Sequence, residues 1–224
     1  MPVFQLSKEM VFPNPALANA DGLLAVGGDL HVERLLLAYQ KGIFPWFDNK
    51  SPILWWCPPQ RCVIEPDQFH ASRSLQRVVR QKRFRITFDL AFGQVIDACA
   101  ETRMDQGQGT WITPEMRRAY CALHEAGFAH SAEAWDDDLL VGGIYGVSLG
   151  RAFFGESMFK RATNASKVAF YELTRRLQEW RFDFIDCQIT NPHLTRLGAY
   201  EISRKSFLDR LERALQFRTI AGPW

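Results

Sequence analysis

The chain lacks several patterns that would each indicate a common class of protein. No hydrophobic run approaches the ~18 consecutive apolar residues of a membrane-spanning helix, and the N-terminal stretch has no signal-peptide core. The nucleotide-binding loop GxxxxGK[ST] and the GxSxG elbow of serine hydrolases are both missing. These absences argue against a membrane protein, an NTPase and a serine hydrolase.

Metal-binding spacings are missing as well. Cys57 and Cys62 have neither a second cysteine pair nor suitably spaced histidines, so we expect no metal site. The five cysteines are an odd number without a repeating framework, which is typical of reduced thiols. We therefore expect a cytoplasmic protein.

The composition is that of an ordinary globular protein. Of 224 residues, 47% are hydrophobic and 23% are charged, and the formal net charge is only +2. Global charge therefore does not indicate a nucleic-acid partner. Locally, residues 72–82 predict a helix with Arg73, Arg77 and Arg80 along one face. These arginines either meet phosphates or simply keep the helix soluble.

The distribution of turn-forming residues predicts two domains. Prolines and glycines are frequent up to about residue 62, and Pro58-Pro59 marks the boundary. We predict a small N-terminal domain over residues 1–62 and a catalytic domain over residues 63–224. The sequence predicts one helix in the first domain, with Asp29 as its N-cap and Gly42 at its end.

The second domain has the pattern of an α+β fold. After the first helix, the sequence predicts a strand at 84–88, two helices, three strands between 129 and 159, a helix at 164–180, a buried strand at 182–189 and two short helices. Thr113 and Ser203 are predicted caps of two of these helices. An antiparallel meander followed by a helical crossover fits a mixed sheet flanked by helices. The order is similar to that of the Gcn5-related N-acetyltransferases.

Three polar residues stand out within the predicted sheet. Asp186 and Gln188 lie two apart near the end of the buried strand, so they are expected on the same sheet face, at the edge where ligands gather. Glu156 lies in an apolar strand beside Gly155, which indicates a close backbone approach or a bulge. Each acid is either a hydrogen-bonded structural group or part of an active site.

Aromatic residues are crowded into the turn-rich segment 44–56, and Trp111 lies in a loop before a capped helix. Aromatic faces near a basic surface hold single-stranded nucleotides, at roughly 1–3 kcal/mol per stacked base. Several of these side chains are equally well explained as the core of a small domain.

Ten motifs occur together in a fixed order. They are GGDL (27–30), GIFPWF (42–47), LWW (54–56), FGQVI (92–96), GTWIT (109–113), VGGIYGV (141–147), FGESMF (154–159), NASK (164–167), IDCQ (185–188) and LGAYEISR (197–204). Over essentially its full length the chain resembles the leucyl/phenylalanyl-tRNA–protein transferases.

The resemblance implies a small N-terminal domain joined to an acetyltransferase-like domain. It implies transfer of Leu or Phe, and Met less well, from aminoacyl-tRNA to proteins beginning with Arg or Lys, which marks them for degradation through the N-end rule. Because an aminoacyl-tRNA is an activated ester, no ATP, metal, acyl-CoA or other cofactor is expected.

The resemblance also implies roles for particular positions. Trp46 and Trp111 would hold the 3′-terminal adenosine, and Glu156, Asp186 and Gln188 would form the polar centre. From the chemistry of amine attack, our hypothesis is that Asp186 accepts or relays the proton of the amine, with Gln188 fixing the carboxylate or the ester carbonyl. In the rival account, Asp186 only orients Gln188 while a ribose hydroxyl of the tRNA shuttles protons. The esterified side chain would lie among seven apolar residues: Ile144, Phe153, Met158, Phe170, Leu173, Leu177 and Ile185.

Two other function classes remain. An acyl-CoA-dependent N-acyltransferase would share the fold, but such enzymes cradle pyrophosphate in a glycine-rich loop, and the stretch FKRATNASK (159–167) contains no glycine. A tRNA-binding protein without catalysis would explain the arginines and tryptophans. It would leave Glu156, Asp186 and Gln188 unexplained.

Overall fold

The N-terminal part of the chain folds around a four-stranded sheet. A computed structural model describes residues 3–105 and 110–224. The strands are β1 (Phe4–Leu6), β2 (Leu23–Gly27), β3 (Phe44–Pro45) and β4 (Leu54–Trp56), and helix α1 (Val32–Gln40) lies between β2 and β3. Their order in the sheet is β1-β2-β4-β3, with β1 parallel to β2 and the other pairs antiparallel.

The rest of the chain builds a mixed seven-stranded sheet. Its strands are β5 (Gln60–Ile64), β6 (Arg85–Phe88), β7 (Ala129–Asp136), β8 (Leu139–Leu149), β9 (Ala152–Lys160), β10 (Phe184–Gln188) and β11 (Tyr200–Ser203). They lie in the order β11-β5-β10-β9-β8-β7-β6. Strands β9 and β10 are parallel, and the other neighbouring pairs are antiparallel.

Helices cover both faces of this sheet. They are α2 (Arg73–Arg80), α3 (Phe92–Asp105), α4 (Pro114–Glu125), α5 (Ala165–Glu179), α6 (Pro192–Arg196) and α7 (Arg204–Ala214). Successive strand residues point to opposite faces, so Ile144 and Phe153 join one apolar cluster while Tyr145 and Phe154 join the other. The first cluster includes residues of α2 and α5, and the second includes residues of α1, α3, α4 and α7.

The predicted meander and crossover are confirmed. Strands β7, β8 and β9 form consecutive antiparallel pairs, and α5 then carries the chain back to β10, parallel to β9. Thr113 caps α4 by accepting a hydrogen bond from the Met116 amide at 3.1 Å, and Ser203 caps α7 through the Ser206 amide at 3.1 Å. The likeness to acetyltransferases stays a prediction.

The predicted N-cap of α1 is wrong. The cap position is His31, and Asp29 instead accepts a hydrogen bond from the His31 amide at 3.1 Å in the preceding turn. Asp29 is held there because its carboxylate pairs with the buried Arg34 at 3.1 Å. The helix ends as expected, since Gly42 follows it with a φ of 70°, a left-handed conformation that favours glycine.

Two strands of the large sheet were missing from the sequence-based prediction. Strand β5 follows Pro58-Pro59 directly and pairs with both β10 and β11, and β11 lies in a segment left unassigned between two helices. The predicted boundary after residue 62 therefore falls inside β5. We retain the two-domain division as a proposal, with its boundary moved to before Gln60.

Candidate active site

A cavity of about 390 Å³ opens where β9 and β10 separate. These parallel strands pair only over the three residues Phe184–Asp186 of β10, opposite Ala152–Phe154 of β9. Beyond that point both strands continue, and their residues border the cavity together with residues of β3, β8 and α5. The separation of two neighbouring strands thus creates a concave site beside the predicted residues Glu156 and Gln188.

Most of the predicted site residues border this cavity. The structure brings together eight of them: Trp46, Trp111, Ile144, Glu156, Met158, Phe170, Ile185 and Gln188. Phe153, Leu173 and Leu177 do not reach its wall. They are buried in the apolar cluster to which Ile144, Phe170 and Ile185 belong, so they support the wall from behind.

Each of the two strands carries a bulge beside the cavity. On β9, Gly155 and Ser157 pair with consecutive residues of β8, so Glu156 is an extra residue, which agrees with the bulge suggested by Gly155. On β10, Asp186 and Gln188 pair with consecutive residues of β5, so Cys187 is the extra residue. A bulge re-aims the side chains around it. Gln188, with a φ of 54°, borders the cavity, whereas Asp186 does not.

Glu156 lies at the centre of a hydrogen-bonded group that the sequence did not reveal. Its carboxylate accepts hydrogen bonds from Tyr39 at 2.7 Å and Tyr120 at 3.1 Å, and the Gln188 amide lies 3.4 Å from it. The two tyrosine hydroxyls, both fully buried, also contact each other. In the sequence, Tyr39 and Tyr120 are recognisable only as tyrosines on the apolar faces of α1 and α4. Such tyrosines are common in ordinary protein cores.

The environment of Glu156 changes its ionisation. Burial raises the pKa of Glu156 from its ordinary 4.5 to about 7, although the hydrogen bonds from Tyr39 and Tyr120 oppose the change. The negative charge of Asp186 raises this pKa further, and Arg61 lowers it. The carboxyl group therefore changes its charge in the neutral pH range, facing a cavity.

Asp186 lies behind the cavity, in a buried ion pair with Arg61. The guanidinium donates two hydrogen bonds to the carboxylate, Nε to Oδ1 at 2.8 Å and Nη2 to Oδ2 at 2.7 Å. Its Nη1 donates to the Gly42 carbonyl at 3.0 Å, and its face lies over the rings of Phe44 and Phe207. Both side chains are buried, with 1% and 0% exposure. Oδ1 also accepts the Gln188 backbone amide at 2.9 Å.

Two tryptophans stand at the mouth of the cavity. Trp46 is 44% exposed, and its backbone carbonyl accepts a hydrogen bond from the Trp56 indole at 2.7 Å. Trp111 is half-buried and borders the cavity from the loop before α4. An exposed indole face beside a cavity can stack on a planar ring.

Ser157 is a further polar residue that borders the cavity. The Ser157 hydroxyl is buried and has no hydrogen-bond partner within the described part of the chain. Buried hydroxyl groups are normally satisfied, so this unpaired hydroxyl, enclosed beside the cavity, is a candidate donor to a bound molecule.

The predicted phosphate contacts lie elsewhere on the surface. Arg73, Arg77 and Arg80, here called the α2 arginines, are exposed on a helix that Ser72 caps, and none of them borders the cavity. Among the residues that the structure describes, no helix has the length and apolarity needed to cross a membrane. Over the same residues, no group of three or more His, Cys, Asp or Glu side chains could hold a metal ion.

Comparisons with known proteins identify the family of this chain. The family model described as "Leucyl/phenylalanyl-tRNA protein transferase" matches residues 63–212, and the model of its "N-terminal domain" matches residues 28–59. Proteins named leucyl/phenylalanyl-tRNA–protein transferase from Desulfatibacillum aliphaticivorans and Desulforapulum autotrophicum are 58% and 54% identical over all 224 residues, covering 96% and 98% of their own lengths.

Similarity to solved structures is much weaker. The structure of L-PGS from Bacillus licheniformis aligns with a TM-score of 0.44 and 9% identity over 88% of this chain and 74% of that one, which is too low to argue from. The assignment rests on the family models and on the full-length relatives. The chain therefore belongs to the leucyl/phenylalanyl-tRNA–protein transferase family of aminoacyltransferases.

Proposed function

We propose that this enzyme transfers Leu or Phe, and Met less well, from aminoacyl-tRNA to the α-amine of proteins that begin with Arg or Lys. The products would be degradation signals of the N-end rule, and the reaction would take place in the cytoplasm. The observation that carries the proposal is an apolar cavity whose wall also holds the Glu156 carboxylate and the Gln188 amide.

The apolar part of the cavity supports the choice of donor. The wall that would face the esterified side chain is apolar and includes Ile144, Met158, Phe170 and Ile185. Charged side chains would lose their solvation there, and small ones would leave space unfilled. Such a wall discriminates weakly between side chains that differ by one methylene, so an enzyme with this cavity is expected to accept Leu, Phe and Met.

The polar part of the cavity supports amine attack on an ester. A free α-amine has a pKa of ~7.7–8.0, so only a minor fraction is neutral at pH 7, and holding it in place is the main task. We propose that Glu156 orients the incoming ammonium or amine, and that Gln188 and the Ser157 hydroxyl hold the ester. Backbone and side-chain donors aimed at a developing oxyanion are a strong source of rate enhancement.

The surroundings of Asp186 favour one of its two possible roles. Both of its oxygens accept hydrogen bonds from Arg61, and one also accepts the Gln188 amide. A carboxylate held in this way and turned away from the cavity is suited to fixing the strand end at Gln188. We therefore propose that Asp186 orients Gln188, and that proton removal falls to another group, such as a ribose hydroxyl of the tRNA.

The tRNA would lie across the mouth of the cavity. We propose that Trp46 and Trp111 stack on its 3′-terminal adenosine, because both border the cavity and Trp46 is exposed. The α2 arginines would then meet phosphates of the acceptor stem.

The test is direct transfer. The purified chain is incubated with labelled Phe-tRNA and a peptide that begins with Arg, and the peptide is examined for added Phe. Matched controls are the same peptide with an acetylated N-terminus and the same tRNA charged with Ala. Transfer that needs the free amine and the apolar amino acid supports the proposal, and absence of any Phe-peptide product contradicts it.

The acyl-CoA alternative has its own measurement. Calorimetric titration with acetyl-CoA should show no binding, since the proposed donor is the tRNA ester. Saturable binding would favour a coenzyme A-dependent N-acyltransferase instead.

A further inference from the structure

Two cysteines lie on neighbouring strands beside the cavity, one in its wall and one behind it. Cys62 is on β5 and Cys187 is the bulge residue of β10, so Cys187 and Gln188 together oppose Cys62. Both side chains belong to the same apolar cluster, and neither is in a disulfide. The register of the two strands thus places an unbridged thiol pair next to Gln188.

The two thiols differ in their accessibility. Cys187 is half-buried and borders the cavity, whereas Cys62 is 1% exposed and lies behind it. A molecule as small as hydrogen peroxide can therefore reach Cys187 through the cavity. The interaction between the two thiols lowers the pKa of Cys62 and raises the pKa of Cys187, so the thiolate of the pair is favoured on Cys62.

We propose that Cys62 and Cys187 form a modification site that peroxides convert to a disulfide. One sulfur donates an electron pair to the peroxide, its O–O bond breaks, and a sulfenic acid and water form. The second sulfur then attacks the sulfenic sulfur, so the S–S bond forms, the S–O bond breaks and a second water leaves. Overall, two thiols and one hydrogen peroxide give one disulfide and two waters.

Closing this disulfide would change the geometry of the active site. A disulfide needs an S–S distance of ~2.05 Å and Cβ atoms ~3.5–4.5 Å apart, so it draws the β10 bulge against β5. Gln188 follows Cys187 directly and is held to Asp186 through its amide. We expect the Gln188 side chain to move relative to Glu156, and this step rests on the proposed function.

The experiment uses the full-length reduced protein. It is treated with a small excess of hydrogen peroxide, free thiols are alkylated, and the products are analysed by intact mass and peptide mapping. We expect the loss of two alkylatable thiols and one cross-linked pair of peptides that contain Cys62 and Cys187, both reversed by dithiothreitol. A pairing with another cysteine, or oxidation of Cys187 with Cys62 still alkylated, would overturn the proposal.

Two variants serve as matched controls. Cys62→Ala should form no cross-link, and its thermal unfolding shows whether it is folded. Cys121→Ala, on the half-exposed side of α4, should cross-link like the wild type. If the Cys121 variant lost the cross-link, the assignment of the pair would be wrong.

Activity is a separate readout. In the transfer assay, oxidation should lower the rate by about a hundredfold, the scale expected of a misplacement of about 1 Å, and dithiothreitol should restore it. A cross-link with an unchanged rate would overturn the coupling to Gln188. A reduced enzyme that transfers nothing would count against the proposed function, and the mapping would still decide the thiol chemistry.

Discussion

Replacing Arg61 with Met tests how much the buried ion pair contributes to the fold. The substitution keeps most of the side-chain volume but leaves the carboxylate of Asp186 buried without its cation. Removing one partner of a buried pair costs about 3–5 kcal/mol. The Gly42 carbonyl loses a hydrogen bond as well, which adds about 1 kcal/mol. We expect a loss of about 4–6 kcal/mol at pH 7, a large share of the ~5–15 kcal/mol that stabilises a typical domain.

The measurement is urea denaturation at pH 7, with Arg175→Met as the matched control. Arg175 is exposed on α5, and its ion pairs within the described residues are with neighbours on its own helix, so its loss should cost about 0.3–0.5 kcal/mol. The double variant Arg61→Met/Asp186→Leu should recover much of the lost stability, because no buried charge remains. Equal losses for Arg61→Met and Arg175→Met, or no recovery in the double variant, would refute the reasoning.

Four further predictions address the site itself. Folded Glu156 keeps its proton up to pH about 7 and the unfolded chain loses it near 4.5, so the free energy of unfolding should fall across this range. Urea denaturation at pH 5 and 8 should show that Glu156→Gln lacks this fall; an identical fall in the variant would place the titration elsewhere. In single-turnover transfer, Asp186→Asn should react more slowly while keeping a wild-type pH profile, and a lost ionisation step would instead identify Asp186 as the base. Ser157→Ala should lower kcat/KM roughly tenfold, because losing one hydrogen bond to the transition state costs about 1.4 kcal/mol. Unchanged kinetics would exclude Ser157 from substrate binding. The association constant for tRNA falls as the salt concentration rises. Replacing the α2 arginines with Ala should make the slope of log K against log salt concentration shallower by about 2–3. An unchanged slope would locate the phosphate contacts elsewhere.

Local patterns were enough to predict much of the large sheet. The meander of β7, β8 and β9 consists of long strands joined by short turns, and α5 has a regular apolar stripe, so neighbouring residues alone specify both. The caps at Thr113 and Ser203 were also predictable, because each is a single side chain bonding to an amide three residues later.

Long-range pairing could not be predicted in this way. Strand β5 is stabilised by partners more than 120 residues away in sequence, such as Ile64 opposite Ile185. Its own five residues are too few to show the alternation of a strand beside the turn-rich segment before them. Propensity for β structure depends strongly on such neighbours. The same limit explains why β11, which pairs only with β5 at the sheet edge, was left unassigned.

The expectation for Asp186 and Gln188 shows how a bulge defeats a pattern argument. Alternation in a strand places residues i and i+2 on one face, and that reasoning holds only while the strand is regular. The extra residue Cys187 breaks the alternation, so Asp186 turns to Arg61 and Gln188 turns to the cavity. The residue types drew attention to this strand end, and the bulge separates its two polar residues into a buried ion pair with Arg61 and an amide that borders the cavity.

The contacts of the N-terminal region indicate why the site needs both parts of the chain. Tyr39, on α1, donates to Glu156, and the Gly42 carbonyl fixes the guanidinium that holds Asp186. The next residues, Phe44 to Trp46, form part of the cavity wall. One short segment thus touches the acid on β9, the ion pair behind β10 and the mouth of the cavity. Because the two bulged strands separate just where this segment packs, the N-terminal region completes the wall of the candidate active site.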